Sequence, residues 1–264
     1  RHPAIYLTHG GGPWPFIDLG PERTRAFAPM AEYLRGLVSS LPVRPSAILI
    51  VSAHWEAPVA TLMTAGHPPM RYDYYGFPPE SYLLQWPAAT ATAIVPRALG
   101  LLREAGLAAT VDAARGFDHG TFVPMMLALP AADIPVLQVS LLEGLDPAAH
   151  YALGRALAPL RDEGVLFIGS GSSYHNMRGF GRASSTAPSR AFDDWLVQTA
   201  ATRGAERERR LTDWIHAPAA RECHPREEHL LPLHVMAGAA HDDPGTVPFT
   251  FEAMAVRQTA IQFG

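Results

Sequence analysis

The chain alternates between short, unbroken apolar runs and longer stretches with an apolar residue at every third or fourth position. Unbroken runs rich in Val, Ile and Leu are typical of strands buried on both faces of a sheet. Together with several shorter or more mixed runs, they predict eight strands: residues 3–9, 47–55, 59–64, 107–112, 134–142, 164–170, 249–254 and 259–263.

Helical periodicity fills most of the spaces between these runs. It predicts helices at residues 24–41, 89–105, 123–129, 147–160, 189–202 and 206–216, and a small-residue helix with Pro232 in its first turn. Helix 24–41 crosses from the first strand to strand 47–55, as in a βαβ unit. The alternation predicts an α/β fold: a central, mostly parallel or mixed sheet with helices on both faces. No linker or change of composition divides the chain, so we expect one domain over residues 1–264.

Composition narrows the classes of function. The 264 residues are 48% hydrophobic, which is enough for a sizeable core, and the net charge of −4 offers no basic field for nucleic acid. No apolar run approaches the roughly 20 residues that cross a bilayer, and the first residues lack the pattern of a secretory signal. A single cysteine, Cys223, fits a reducing compartment. We therefore expect a cytoplasmic monomer or small homo-oligomer that binds neither membrane nor nucleic acid.

Three histidines stand at the ends of predicted strands: His9, His54 and, just past strand 164–170, His175. In open α/β sheets, ligands and reactive groups collect beyond the carboxyl ends of the strands. Three glycines at positions 10–12 follow His9 and allow positive φ angles or a close approach of the backbone. No Lys-Ser/Thr follows them at P-loop spacing, so we do not expect nucleotide binding.

Two other candidate site residues, His119 and His229, lie away from the ends of the predicted strands. His119 precedes helix 123–129, which Asp118 or Thr121 could cap. There a neutral imidazole could exchange hydrogen bonds with a substrate oxygen, or His119 could be a turn residue bonded to backbone. His229 follows Glu227 and Glu228, and these three residues could complete a metal site.

Three further histidines are assigned structural positions. His234 lies five positions after His229, off the same helical face, and is expected in the core or beside the site. His150 is expected in solvent, in the first turn of the helix that Asp146 opens. His216 is expected to cap the end of helix 206–216.

Together these positions describe a histidine-rich site assembled from distant segments. Its main residues are His9, His54 and His229, with His175 and His119 nearby. Imidazole ligands suit Zn, Fe and Ni, so the pattern favours one metal ion, with separate uses of the histidines as the alternative. The aromatic segment 66–87 either lines this site or packs its rings on the core.

Several sequence blocks, in the same order over nearly the whole chain, resemble the DODA-type extradiol aromatic ring-opening dioxygenases of the class III, LigB-like, non-haem metal superfamily. The blocks are Leu-Thr-His-Gly-Gly-Gly-Pro at 7–13, Val-Ser-Ala-His-Trp at 51–55, Gly-Phe-Asp-His-Gly at 116–120, Tyr-His-Asn at 174–176, His-Pro at 224–225, and Glu-His-Leu-Leu-Pro-Leu-His-Val-Met-Ala-Gly-Ala at 228–239.

The resemblance implies a metal held by His9, His54 and His229, an acid/base role for His175, and a substrate-facing position for His119. In some members the residue that matches His175 also counts as a ligand. More distant relatives use a glutamate as third ligand, which leaves Glu228 as the alternative to His229.

The implied reaction opens the ring of a catechol, a DOPA-like or other substituted one, with O₂ to give a muconic semialdehyde. It needs one redox-active divalent metal, Fe(II), although Zn(II) could occupy the same ligands. Two other functions stay open at this stage. One is a zinc hydrolase with Glu227 or Glu228 as base, and the other is a non-catalytic metal-binding or interaction module.

Overall fold

Eight strands form one mixed sheet in the computed structural model, which describes residues 1–264. The strands are β1 Ala4–Thr8, β2 Ala47–Ala57, β3 Ala60–Met63, β4 Ala109–Asp112, β5 Val136–Leu142, β6 Val165–Gly171, β7 Gly245–Ala253 and β8 Val256–Phe263. Their spatial order is β4-β3-β5-β2-β6-β1-β8-β7. The four central strands β5, β2, β6 and β1 are parallel, and the flanking β3 and β8 join them antiparallel. The predicted α/β fold with a mixed sheet is confirmed.

Eight helices connect the strands. They are α1 Pro21–Gly36, α2 Val95–Glu104, α3 His119–Ala128, α4 Pro147–Leu157, α5 Thr186–Ala201, α6 Gly204–Thr212, α7 Ala220–Cys223 and α8 Leu231–Ala239. Helix α2 begins six residues later than predicted because Thr90 pairs with Val136 and extends the sheet instead. None of the helices is both long enough and apolar enough to cross a membrane.

The helices cover both faces of the sheet. Leu49 and Val51 of β2 belong to the hydrophobic core under α2, α4, α5 and α8, whereas Ile48 and Ile50 belong to the core under α1 and α3. Because neighbouring residues of a strand point to opposite faces, a strand covered on both sides must be apolar at every position. This explains why β2 reads as an unbroken apolar run.

The expectation that His150 faces solvent is wrong. Asp146 caps α4 as predicted, its carboxylate accepting from the N–H groups of Ala148 and Ala149. The His150 side chain turns inward and is buried. Its Nδ1 donates to the Asp146 carbonyl at 2.7 Å, and its Nε2 accepts from the Leu142 N–H at 2.9 Å. These two bonds satisfy the ring without water.

His234 and His216 lie in structural positions. His234 is buried in α8 and donates from Nε2 to the Leu211 carbonyl at 2.8 Å, so it belongs to the core. His216 is exposed at the end of a short 3-10 helix, Trp214–His216, that follows α6, and its Nδ1 lies 2.6 Å from Asp213 Oδ1.

Candidate metal centre

The ends of three neighbouring parallel strands form the floor of the site. In the order β2-β6-β1, Ser52 lies opposite Ser170, and Thr8 lies opposite Gly171. His9 follows β1 directly, and its N–H donates to the Gly171 carbonyl at 3.2 Å, continuing the ladder. This register brings the first strand of the chain beside the end of β6.

His54 lies inside β2, in a segment where the pairing with β5 shifts register between Val51 and Glu56. An irregularity of this kind changes the direction of a side chain at the end of a strand. Arg115 holds the segment, because its Nη2 donates both to the His54 carbonyl and to Asp118 Oδ2, each at 3.1 Å. The site therefore has a rigid, hydrogen-bonded wall beside His54.

His229 belongs to a distant part of the sequence but lies at the same strand ends as His9 and His54. Its carbonyl accepts a hydrogen bond from the Tyr6 hydroxyl at 2.8 Å and another from the Ser172 N–H at 3.0 Å. Tyr6 belongs to β1 and Ser172 follows β6, so two strands hold the turn that carries His229. The turn then leads into α8, as predicted.

His9, His54 and His229 come together at this floor, with one potential ligand atom from each within 4.8 Å of the others. The Nε2 atoms of His9 and His54 lie only 3.1 Å apart. Whether a cation could lie among them depends on which ring nitrogens carry hydrogen, and the polar groups around each ring indicate this.

Ser170 sets the tautomer of His9. The hydroxyl of Ser170 donates its single hydrogen to the Gly120 carbonyl. Its oxygen lies 3.0 Å from His9 Nδ1 and can therefore only accept from it. His9 thus carries hydrogen on Nδ1 and directs the lone pair of Nε2 toward His54.

Glu228 sets the tautomers of two rings at once. Its Oε1 lies 2.9 Å from His229 Nδ1 and 3.2 Å from His175 Nδ1. A carboxylate oxygen accepts two hydrogen bonds, so both rings donate from Nδ1 and leave Nε2 free. The two rings are stacked, and His175 is the more exposed of them.

Asp73 sets the tautomer of His119 and lies beside the Nδ1 of His54. Its Oδ1 accepts from the His119 Nδ1 at 2.8 Å, and its Oδ2 lies 3.5 Å from His54 Nδ1. Asp73 also accepts from the backbone N–H of His119 at 3.0 Å, at the start of α3. The expected cap by Asp118 or Thr121 is absent. Asp118 occupies the cap position but its carboxylate accepts from Ser52, Arg115 and Gln138 instead.

Burial keeps the central imidazoles neutral. Burial and the neighbouring His54 and His229 rings hold the pKa of His9 well below its ordinary value, and burial with the neighbouring His119 lowers the pKa of His54 to about 4. Burial likewise holds the pKa of His229 well below its ordinary value, although Glu228 opposes the shift. Protons therefore do not occupy these lone pairs at neutral pH.

The two carboxylates carry the negative charge of the site. Burial alone would raise the pKa of Asp73, but hydrogen bonds from His119 outweigh it and lower the pKa to about 2. The pKa of Glu228 is lowered in the same way, because the bonds from His175 and His229 outweigh its burial. Both groups are ionised at neutral pH.

This donor set fits a divalent transition metal. The Nε2 atoms of His9 and His54 lie 3.1 Å apart. They either share a hydrogen bond, if His54 carries its hydrogen on Nε2, or direct two lone pairs at one point that a cation can occupy. The Asp73 carboxylate, 3.5 Å from His54 Nδ1, favours the second arrangement. Imidazole nitrogens suit Fe, Zn and Ni, and the nearby carboxylates compensate the added charge. The geometry therefore fits one cation bound by histidine nitrogens.

Both interpretations of the aromatic segment 66–87 describe part of it. Trp86 is buried in the core, whereas the Tyr74 ring lies edge-on to the His119 ring at 5.8 Å between centroids. Hydroxyls fasten the segment, since Tyr72 donates to the Leu84 carbonyl and Tyr74 to the Ser81 carbonyl. The segment thus packs on the core and also borders the site.

Sequence reasoning missed three polar residues that hold this site: Asp73, Ser170 and Arg115. Asp73 stands between two tyrosines of an irregular segment, and no periodic pattern marks it. The available signal was its isolation, because it is the only acid between the arginine at 71 and the glutamate at 80. Ser170 sits at the end of a strand that was predicted, beside the strands that carry His9 and His54.

Comparisons with known proteins show which family the chain belongs to. Residues 3–260 match the family model described as the catalytic LigB subunit of aromatic ring-opening dioxygenase. A dioxygenase of Hapsidospora irregularis is 38% identical, over 96% of this chain and 83% of the relative. A 4,5-DOPA dioxygenase extradiol of Beta vulgaris is 43% identical, over 76% of this chain and 75% of the relative.

A solved structure has the same fold. The crystal structure of an uncharacterised protein of Escherichia coli K12 superposes with a TM-score of 0.78 at 28% sequence identity, covering 100% of both chains. The likeness extends over the full sheet and its helices.

Proposed function

Because this chain belongs to the LigB family of aromatic ring-opening dioxygenases, we propose that it opens the ring of a catechol-type substrate with O₂. Cleavage lies outside the two hydroxyl groups and yields a muconic semialdehyde. The observation that carries the proposal is the convergence of His9, His54 and His229, with one potential ligand atom from each within 4.8 Å of the others and the Nε2 atoms of His9 and His54 3.1 Å apart.

We propose His9, His54 and His229 as the metal ligands, each through Nε2. Ser170 and Glu228 accept from the Nδ1 atoms of His9 and His229, and the Asp73 carboxylate lies 3.5 Å from the Nδ1 of His54, which supports this assignment. Glu228 is the weaker candidate for third ligand, because its Oε1 lies on the Nδ1 side of both His229 and His175. A bound Fe(II) would bring a catechol and O₂, which react poorly on their own, into electronic contact.

His175 is the proposed acid and base. Its Nδ1 donates to Glu228, so its Nε2 is free to accept a proton from a substrate hydroxyl. The ionised Glu228 stabilises the imidazolium that results, and His175 later returns the proton to an oxygen that derives from O₂. With a quarter of its side chain exposed, His175 is open to a substrate in a way that His229 is not.

His119 and the aromatic segment are proposed to hold the ring. Asp73 accepts from the Nδ1 of His119, which leaves its Nε2 as an acceptor for a substrate hydroxyl. Tyr74 borders His119 and supplies an apolar edge for an aromatic substrate. These contacts position the substrate and take no part in proton transfer to O₂.

The hydrolase alternative requires Glu227 or Glu228 as the base that activates water. Glu227 pairs with Arg221 at 2.5 Å, and Glu228 Oε1 already accepts from two imidazoles. Glu227 is thus engaged in an ion pair and Glu228 in orienting two imidazoles, and these positions favour the dioxygenase over the hydrolase. The non-catalytic alternative expects His175 or His119 to be missing from the site, and both border it.

Oxygen uptake tests the proposal. Protein loaded anaerobically with Fe(II) would be mixed with a panel of catechols that begins with DOPA, while absorbance follows the coloured ring-opened product. We expect uptake that depends on iron, on the catechol and on His175. Zinc-loaded protein is the matched control and should consume no oxygen. Tight iron binding without uptake on any catechol would contradict the proposal.

A further inference from the structure

We propose that Asp73 is a positioning residue that holds His54 and His119 in the tautomers that leave both Nε2 atoms without hydrogen. The inference rests on the proposed function and extends it to a residue of the aromatic segment. Asp73 touches neither of the other two proposed ligands, and it acts on the metal only through His54.

One carboxylate accepts two hydrogen bonds from His119 and faces a nitrogen of His54. Asp73 Oδ1 accepts from the backbone N–H of His119 at 3.0 Å and from His119 Nδ1 at 2.8 Å, while Oδ2 faces His54 Nδ1 at 3.5 Å. His119 begins α3 and His54 lies in β2, so Asp73 joins a helix start to a strand end. The His54 and His119 rings lie 4.0 Å apart between centroids.

The tautomer of His54 matters because a competing state exists. If His54 carried its hydrogen on Nε2, that N–H would point at the lone pair of His9 Nε2, 3.1 Å away, and form a hydrogen bond. Such a bond would occupy both nitrogens and exclude a cation. Asp73 disfavours this state, because the Nδ1 lone pair of His54 would then face the carboxylate oxygen.

Asp73 is itself held in place. Its N–H donates to the Arg71 carbonyl at 3.0 Å, and the N–H of Arg71 donates to the Phe117 carbonyl at 2.7 Å. The hydroxyls of its neighbours Tyr72 and Tyr74 are fastened within the same segment. The carboxylate therefore meets the two histidines from a fixed backbone.

Replacing Asp73 by Asn separates this role from a merely structural one. The amide keeps the size of the carboxylate but turns one acceptor into a donor. If the amide oxygen keeps accepting from the two N–H groups of His119, the amide NH₂ faces His54 Nδ1 and donates to it. His54 must then carry its own hydrogen on Nε2. Asp73→Ala instead leaves His54 free to choose either tautomer. If Asp73 has only a structural role, Asp73→Ala should weaken zinc binding more than Asp73→Asn does. If Asp73 sets the tautomer of His54, Asp73→Asn should weaken zinc binding more.

The experiment measures Zn(II) affinity by competition with a coloured chelator, in the wild-type protein, Asp73→Asn, Asp73→Ala and the control Asp193→Asn. Asp193 is a buried acid of α5 that pairs with Arg257 and makes no hydrogen bond to a site histidine. We expect Asp73→Asn to lose on the order of 10- to 100-fold in affinity, Asp73→Ala to lose less, and the control to match wild type.

Nitrogen NMR of ¹⁵N-histidine protein without metal supplies a second readout. We expect one histidine of Asp73→Asn to move from Nδ1–H to Nε2–H, a mixture of the two tautomers at that histidine in Asp73→Ala, and no change in the control. Zinc affinity of Asp73→Asn equal to wild type, or lower affinity in Ala than in Asn, would overturn the inference alone. A wild-type protein that binds no zinc would overturn the metal centre and the inference with it.

Discussion

The imidazole rings of His175 and His229 are stacked, with centroids 3.3 Å apart and planes 14° from parallel, because both donate to the same oxygen of Glu228. The two rings differ in exposure: 25% of the His175 side chain is exposed and 4% of His229. One carboxylate thus orients a proposed ligand and the proposed acid and base together, which allows their roles to be separated by mutation.

His175→Ala should keep the metal and lose turnover. The variant removes the proposed proton acceptor but leaves His9, His54 and His229 in place. General acid–base groups typically contribute about 10²- to 10⁴-fold, so we expect kcat to fall by a factor in that range. Iron content by elemental analysis and oxygen uptake measure the two properties. Loss of iron together with activity would assign His175 to the ligands instead.

His54→Ala should lose the metal itself. It removes one of the two Nε2 atoms that face each other, so the remaining histidines bind a cation weakly. We expect iron content to fall to a small fraction of the wild-type value after dialysis. His216→Ala, which removes an exposed histidine, is the matched control and should keep full iron content. Equal iron content in His54→Ala and the control would contradict the ligand assignment.

Ser170→Ala should weaken metal binding without removing a ligand. The hydroxyl accepts from His9 Nδ1, and without it His9 can carry its hydrogen on Nε2. Loss of such an outer hydrogen bond typically costs about 10- to 100-fold in metal affinity. Chelator competition with Zn(II) measures the change. Ser173→Ala removes a buried hydroxyl that accepts from the Thr259 N–H, and its affinity should match wild type.

Acid should destabilise the metal-free protein through buried histidines such as His224. Burial lowers the pKa of His224 to about 3, and its Nδ1 has no hydrogen-bond partner. Below pH 6.5 the unfolded chain binds a proton there that the folded protein does not, so stability falls as the pH falls toward 3. At about 1.4 kcal/mol per pH unit, this residue contributes roughly 2 kcal/mol of loss between pH 6.5 and pH 5.

Urea unfolding of metal-free protein at pH 7 and pH 5 measures this loss. His224→Gln keeps a donor for the Ser173 carbonyl, to which His224 Nε2 donates at 3.0 Å, but it cannot take up the proton. The variant should therefore lose less stability than wild type between the two pH values. An unchanged difference would show that His224 is protonated in the folded protein at pH 5.

Strands were the most predictable elements, because a parallel strand covered on both faces must be apolar throughout. β2, β5 and β6 carry this signature and begin within two residues of the predicted positions. The first residues of helices were harder to predict from the sequence. α1 begins at Pro21, three residues before the apolar periodicity that predicted it. A first turn faces solvent and so lacks an apolar pattern.

The histidines of the site were predictable because each stands at a strand end or in a block with a known resemblance. The acids that orient them were only partly predictable. Glu228 drew attention as a possible ligand, whereas Asp73 lies in an irregular segment and reaches the site through tertiary contacts alone. The position of His150 was also unpredictable from local sequence, since its inward orientation depends on a tertiary contact with the Leu142 N–H of a preceding strand.

The first strand of the chain pairs with the last, since β1 lies between β6 and β8. The bond from the Tyr6 hydroxyl to the His229 carbonyl likewise joins residues 223 positions apart. During synthesis, β1 therefore emerges with both of its edges unpaired, and one edge stays open until β8 leaves the ribosome. Assembly of the proposed metal centre is consequently a late event in the life of each molecule. A nascent or C-terminally truncated chain presents aggregation-prone strand edges rather than a half-built centre.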